Sequence, residues 1–187
     1  MNSLTATVNL KYPLTMLAAV DQNWALGREG RLLLPIKTDL RHFRRLTLNN
    51  VVILGRKTLD TFPGGQPLAK RDNIILSRSL EHIAGAQTAG SVEAALKLAA
   101  QSARPCFIIG GASIFRQFLP YCSQAEITRI DYSFPEADAF LPNLEQAEGW
   151  QQVSCSAPYL DTDSKLSFCF CRYARKACSP EPQSTRP

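Results

Sequence analysis

The sequence predicts one α/β domain: a central, mostly parallel sheet with helices on both faces and an antiparallel edge strand added at the C-terminal end. Three observations carry this. Buried strand and amphipathic helix alternate through the first 130 residues, the pattern of a parallel sheet covered on both sides. Two of the strands run into glycine turns that open helices, "ILGRKT" and "IIGGAS". The chain has 187 residues, 45% apolar and 20% charged, which suits one globular core.

In chain order, "LTMLAAV" at 14–20 is a short apolar run closed by the polar, glycine-punctuated "DQNWALGREG", a buried strand followed by a loop. From Thr38 the apolar residues Leu40, Phe43 and Leu46 recur at helical spacing with Arg41, Arg44 and Arg45 between them. "VVILG" at 51–55 is a β-branched strand, and its glycine turns the chain into a short helix. "FPGGQPLAKRD" reads as loop and "NIILS" at 73–77 as a strand. "SVEAALKLAAQ" is a helix with Ser91 as its N-cap. "CFIIGGASIFRQFLP" is strand, Gly-Gly break and helix, stopped by Pro120. "AEITRID" and "KLSFCFCRYA" supply the last two strands, joined by a polar connection.

Residues 1–12 are expected as a flexible extension, 13–175 as the domain and 176–187 as a disordered, Pro-containing tail. The net charge of +5 comes from scattered Lys and Arg, not from runs, which speaks against a nucleic-acid partner and suits an anionic small molecule. Six cysteines form no CxxC pair and there are two histidines, so no metal site is expected. Cys169 and Cys171 alternate with Phe168 and Phe170 and are read as small core residues of one strand face. With no signal peptide and no long apolar run, a reducing cytoplasm and no membrane contact are expected.

Both glycine turns offer amide donors at a helix start, and Arg56, Lys57 and Thr58 add charge and a hydroxyl to the first. Each alone is better explained as a structural turn, but two at strand C-termini of one sheet strengthen the reading as a phosphate site, because ligands of such folds bind in the crevice at those ends. "LSRS" places Ser77 and Arg78 after a third strand, a pair suited to a phosphate monoester or to plain solvent exposure. Arg71 has the same two readings, with a carboxylate as its partner. The parts of common hydrolases are missing. The remaining acid-base candidate is Asp39, and spacing alone favours a helix-start acid over a catalyst.

Taken together, "AVDQNWALGREGRLLL", Asp39 with Phe43 one turn on, "TLNNVVILGRKT", "PLAKRDNIILSRS", "FIIGGASIFRQFLP", "EITRID" and "ADAFLP" resemble dihydrofolate reductase over residues 14–174. The resemblance implies reduction of dihydrofolate with NADPH. It places Asp39 on the floor of a pterin pocket, with Thr128 supporting it, and Leu17, Leu34, Leu40, Phe43, Phe62, Leu68, Ile109 and Phe115 around the substrate. Arg71 would meet the carboxylate of the substrate's glutamate tail. On the cofactor side it places Ala19, Leu26, Gly55, Arg56, Lys57, Thr58, Ser77, Arg78, Gly110, Gly111, Ala112, Ser113 and Ile114, and "NWALGREGR" as a lid. Dihydrofolate and antifolate inhibitors are the implied partners, and a monomer the implied state.

Three positions depart from the family pattern. Leu34 stands where a tryptophan is usual, Lys37 where a proline is usual and Phe115 where a tyrosine is usual, which implies altered antifolate sensitivity. The alternatives are a reductase of another heterocycle, as in riboflavin synthesis, and a noncatalytic nucleotide-binding descendant. Asp39 speaks against the first; Arg71 and both glycine turns speak against the second.

Overall fold

The computed structural model describes residues 10–79 and 82–176. Most of the expected N-terminal extension, nearly all of the expected tail, and Cys178 lie outside the described residues. The main sheet runs in the order β10-β12-β8-β1-β7-β4-β5-β6. Its members are β1 (Leu14–Val20), β4 (Val51–Gly55), β5 (Asp72–Leu76), β6 (Ala86–Ala89), β7 (Cys106–Gly110), β8 (Gln124–Ile130), β10 (Trp150–Cys155) and β12 (Ser167–Arg175). From β8 to β6 every neighbouring pair is parallel, whereas β12 is antiparallel to β8 and β10 to β12. A short strand β11 (Tyr159–Leu160) also pairs with β12. A second, three-stranded sheet joins β2 (Ala25–Arg28), β3 (Arg31–Leu32) and β9 (Ala139–Phe140).

The helices are α1 (Lys37–Thr47), α2 (Arg56–Leu59), α3 (Val92–Ser102) and α4 (Ala112–Phe118). Helix α1 carries Asp39 in its first turn and Arg44 and Arg45 in its last, charges that complement the helix dipole. Helix α3 starts as expected, with Ser91 Oγ accepting a hydrogen bond from the Ala94 amide at 3.2 Å. Because side chains alternate along a strand, the sheet has two apolar faces. One packs Met16, Ile53, Ile108 and Ile127 with α3 and α4. The other packs Leu17, Val52, Leu54, Ile75 and Phe107 with Leu59, Phe43 and Leu46 of α1 and α2.

The elements that sequence periodicity leaves out are short or exposed. The connection expected as merely polar contains β9, β10 and β11; of β10 only Trp150 is buried, so no apolar alternation marks it. β10, not the last strand of the chain, is outermost, and β12 lies between β8 and β10. Cys169 and Cys171, expected as small core residues of one strand face, differ in the structure: Cys169 is free, whereas Cys171 is bonded. Cys155 and Cys171 are disulfide-bonded, because antiparallel pairing of β10 and β12 sets their Cα atoms 4.1 Å apart.

Candidate active site

Asp39 projects from the first turn of α1 toward β8, where Thr128 Oγ1 donates a 2.5 Å hydrogen bond to its Oδ1. Thr128 is 2% exposed and lies opposite Ala19 of β1 in the sheet, so α1, β8 and β1 meet at this carboxylate. Burial raises the pKa of Asp39 above the ordinary carboxylate value, while the Thr128 hydrogen bond and the nearby His42 act in the opposite sense. No cation pairs with Asp39 among the described residues. A carboxylate so placed suits a ligand that brings its own N–H donors.

Leu17, Phe43, Phe62 and Ile109 lie in one apolar cluster beside it. Leu34 instead joins Ile36, Ile130, Phe134, Phe168 and Phe170 next to the start of α1. Leu40 is 44% exposed, facing outward from the same helix turn as Asp39. Leu68 is half-buried, its backbone fixed by Asn73, whose amide nitrogen donates to the Leu68 carbonyl while its oxygen accepts from the Leu68 amide. Phe115 is 2% exposed and packs in the α3 and α4 layer, under Gly110.

Arg71 lies beyond the C-terminal end of α1 and makes no ion pair among the described residues. Its Nε and Nη2 donate to Thr47 Oγ1 at 3.3 and 3.2 Å, and Nη1 donates to the Ala69 carbonyl at 2.7 Å. Thr47 in turn donates to the Phe43 carbonyl at 2.9 Å. Partial burial and the neighbouring Arg44 disfavour the guanidinium charge, so an incoming carboxylate would relieve a strained cation. Sequence reasoning missed Thr47; its only signal is a threonine at the otherwise arginine-rich end of α1.

The two glycine turns come together. A Cβ on Gly55 would meet Ile114 Cγ1 at 2.9 Å, and one on Gly111 would meet Thr58 Oγ1 at 3.1 Å. Gly110 has φ +121°, open to glycine and strained for other residues. Thr58 is half-buried against these glycines, while Arg56 and Lys57 face solvent, Arg56 pairing with Asp60 at 3.1 Å. Ala112, Ser113 and Ile114 form the first turn of α4. Ser77 is half-buried at the end of β5 and Arg78 exposed beside it. The cradle of small residues, hydroxyl and cations fits a nucleotide phosphate, since close backbone approach is what a pyrophosphate requires.

The segment expected as a lid is the hairpin of β2 and β3. Glu29 and Gly30, with φ of 50° and 77°, close it in the left-handed turn that suits a tight hairpin. Leu26 of β2 is half-buried. The start of the segment is fixed by Asp21, fully buried, whose carboxylate accepts from the amides of Asn23, Ala25 and Phe134 at 2.8–2.9 Å. Asp21 was not anticipated from the sequence.

The sequence model of the family described as Dihydrofolate reductase matches residues 13–175. A dihydrofolate reductase of Neisseria meningitidis is 36% identical over 163 residues, covering 87% of this chain and 98% of that one. One from Staphylococcus haemolyticus is 31% identical, covering 87% and 95%. A solved structure of dihydrofolate reductase from Enterococcus faecalis, complexed with NADP(H) and RAB-propyl, superposes with a TM-score of 0.79 at 28% identity, covering 90% of this chain and 99% of that one. Fold, site and relatives define an NADPH-dependent oxidoreductase. The chain belongs to the dihydrofolate reductase family. No helix among the described residues is long and apolar enough to cross a membrane.

Proposed function

We propose that the protein reduces 7,8-dihydrofolate to 5,6,7,8-tetrahydrofolate, the hydride arriving at C6 and a proton at N5. The observation that supports this best is the pairing of Asp39 and Arg71. Among the described residues, one end of α1 carries a buried carboxylate with no cation partner and the other lies beside a guanidinium with no anion partner, while Phe43, on α1 between them, packs in one apolar cluster with Phe62, Leu17 and Ile109. A flat, apolar molecule with an amino-substituted ring at one end and a carboxylate at the other matches that distribution.

In this reading Asp39 accepts hydrogen bonds from the pterin amino group and ring N3, orienting the ring. Burial raises its pKa above the ordinary carboxylate value, which favours the protonated form and with it protonation at N5. Thr128 fixes the carboxylate's direction. Phe43, Phe62, Leu68, Leu17 and Ile109 exclude water from the ring, and Arg71, held by Thr47, receives the tail carboxylate. Arg56, Lys57, Thr58, Gly55, Gly110, Gly111, Ala112, Ser113 and Ile114 would hold the NADPH pyrophosphate and nicotinamide side, with Ala19 and Leu26 beside them. Ser77 and Arg78 would hold its 2′-phosphate. NADPH, when bound, supplies the hydride. The β2–β3 hairpin closes over the reacting atoms and keeps solvent out.

Loss of NADPH absorbance with dihydrofolate tests this directly; turnover is expected, and its absence overturns the reading. Leu34 and Phe115 remove an indole N–H and a phenol hydroxyl from positions that usually carry them, so waters and ligand groups lose partners there. Trimethoprim inhibition weaker than that of the common bacterial enzymes is the expected consequence, and equal inhibition removes this part of the proposal.

A further inference from the structure

On the sheet face opposite Asp39, three cysteine sulfurs gather at the outer strands. Cys155 and Cys171 are partners across β10 and β12, and Cys169, two residues along β12, projects from the same face. The Sγ of Cys169 lies 3.1 Å from that of Cys155 and 3.5 Å from that of Cys171, and all three sulfurs lie within 4.8 Å of one another. We propose that Cys155, Cys169 and Cys171, once their disulfide is reduced, bind one soft, thiophilic cation through three thiolates.

The geometry suits such an ion. Zinc-type cations sit about 2.3 Å from thiolate sulfur, so two sulfurs on one ion are separated by roughly 3.8 Å in a tetrahedral arrangement. The two separations from Cys169 reach that spacing with side-chain movements of a fraction of an ångström, and the Cys155 and Cys171 sulfurs part once their bond is reduced. An all-sulfur donor set selects soft cations over magnesium or calcium. Burial is graded from buried Cys171 through half-buried Cys169 to exposed Cys155. The ion therefore enters from the sheet edge, and a solvent molecule completes its shell on that side. Arg129 lies opposite Cys169 in β8; its positive charge offsets the negative charge of a trithiolate, with Asp131 acting in the opposite sense.

Loading starts by reduction. Two molecules of a low-molecular-weight thiol, oxidised together to their disulfide, deliver two electrons and two protons to the Cys155–Cys171 bond, leaving three thiols. The cation then displaces their protons as the sulfur–metal bonds form. Disulfide and ion exclude each other, so the site responds to both redox state and metal supply. Cys106 and Cys122 do not compete, being buried in the α3 and α4 core, where burial pushes the Cys106 thiol up to about 12.

The test uses the full chain, reduced with dithiothreitol, desalted without oxygen and titrated with divalent cadmium while thiolate-to-cadmium absorption is followed. One equivalent is expected to bind, to protect three thiols from alkylation and to raise the Tm, whereas protein oxidised with diamide gives no such signal. Cys169→Ser and, separately, Cys155→Ser are expected to weaken binding by at least about ten-fold, and Cys178→Ser to leave it unchanged. Absence of a stoichiometric signal in the reduced protein overturns the proposal. So does a signal that survives in both the Cys169 and Cys155 variants, or one abolished by Cys178→Ser.

Discussion

The hydroxyl of Thr47 accepts two hydrogen bonds from the guanidinium of Arg71, at 3.3 and 3.2 Å, and donates its own to the Phe43 carbonyl one helical turn back. The last turn of α1 therefore sets the direction of a cation placed 24 residues further along the chain. Thr47→Val removes the acceptor and keeps the shape. The expected result is a several-fold rise in KM for dihydrofolate with kcat nearly unchanged, rescued by Thr47→Ser. Arg71→Leu removes the charge itself and is expected to raise KM roughly ten- to one-hundred-fold, the size of a lost hydrogen bond to a charged group. Equal KM values for the two variants and the parent would remove the role given to Arg71.

Asp39 is expected to trade stability for activity. Asp39→Asn should lower turnover at neutral pH by about one-hundred-fold or more, the contribution of a positioned proton-transfer group. Because burial raises its folded pKa, the folded state binds more protons than the unfolded state between the ordinary value of 3.8 and the raised one. Stability therefore falls as pH rises through that window. The Asn variant carries no such loss. Its Tm should exceed the parent's at pH values above the window, and the difference should shrink toward zero below the unfolded value. Thermal melts across that range check it; a pH-independent difference contradicts it.

Gly55 and Ile114 bring the two glycine turns into contact. A methyl group on Gly55 would lie 2.9 Å from Ile114 Cγ1, so Gly55→Ala is expected to cost about 1–3 kcal/mol, the usual range for overpacking, and to weaken NADPH binding. Adding Ile114→Val, which removes a methyl at the point of contact, should recover part of both losses. Titration of intrinsic fluorescence with NADPH and a urea melt measure the two effects separately.

Ser91 offers a control away from the site. It caps α3 through Ala94, so Ser91→Ala should lower stability by about 1 kcal/mol with unchanged kcat and KM. A change in either kinetic constant would show that α3 reaches the active site.

Periodicity made α1, β4, β7 and α4 legible because each buries one continuous stripe or run. The same logic fails for β10, where Trp150 alone is buried and the remaining residues show no alternation. Asp39 illustrates a different limit: an acid in a first helical turn reads the same whether solvent or Thr128 lies opposite, and only β8 crossing beneath α1 decides between them. Thr47 and Asp21 were invisible for a related reason, since their partners, Arg71 and the amide of Phe134, come from distant segments. Lys37, out of place against the family pattern, acquires a partner in the structure: its Nζ lies 2.8 Å from Asp163 Oδ2, in the turn before β12. Both groups are exposed, so the pair ties that turn to α1 with little gain in stability. The disulfide between Cys155 and Cys171 depends on a strand pairing that no local motif announces.

The interior position of β12 bears on how the chain reaches its folded state. Among the described residues β10 and β11 pair with no strand other than β12, so both wait, during synthesis, for residues 167–175 to leave the ribosome. Losing those nine residues would strip three strands from the sheet and expose the flank of β8 that bears Thr128. Assembly of the strand beneath Asp39 is thereby made contingent on near-complete translation, and a prematurely terminated chain would present an open sheet edge that favours aggregation over a partly working enzyme.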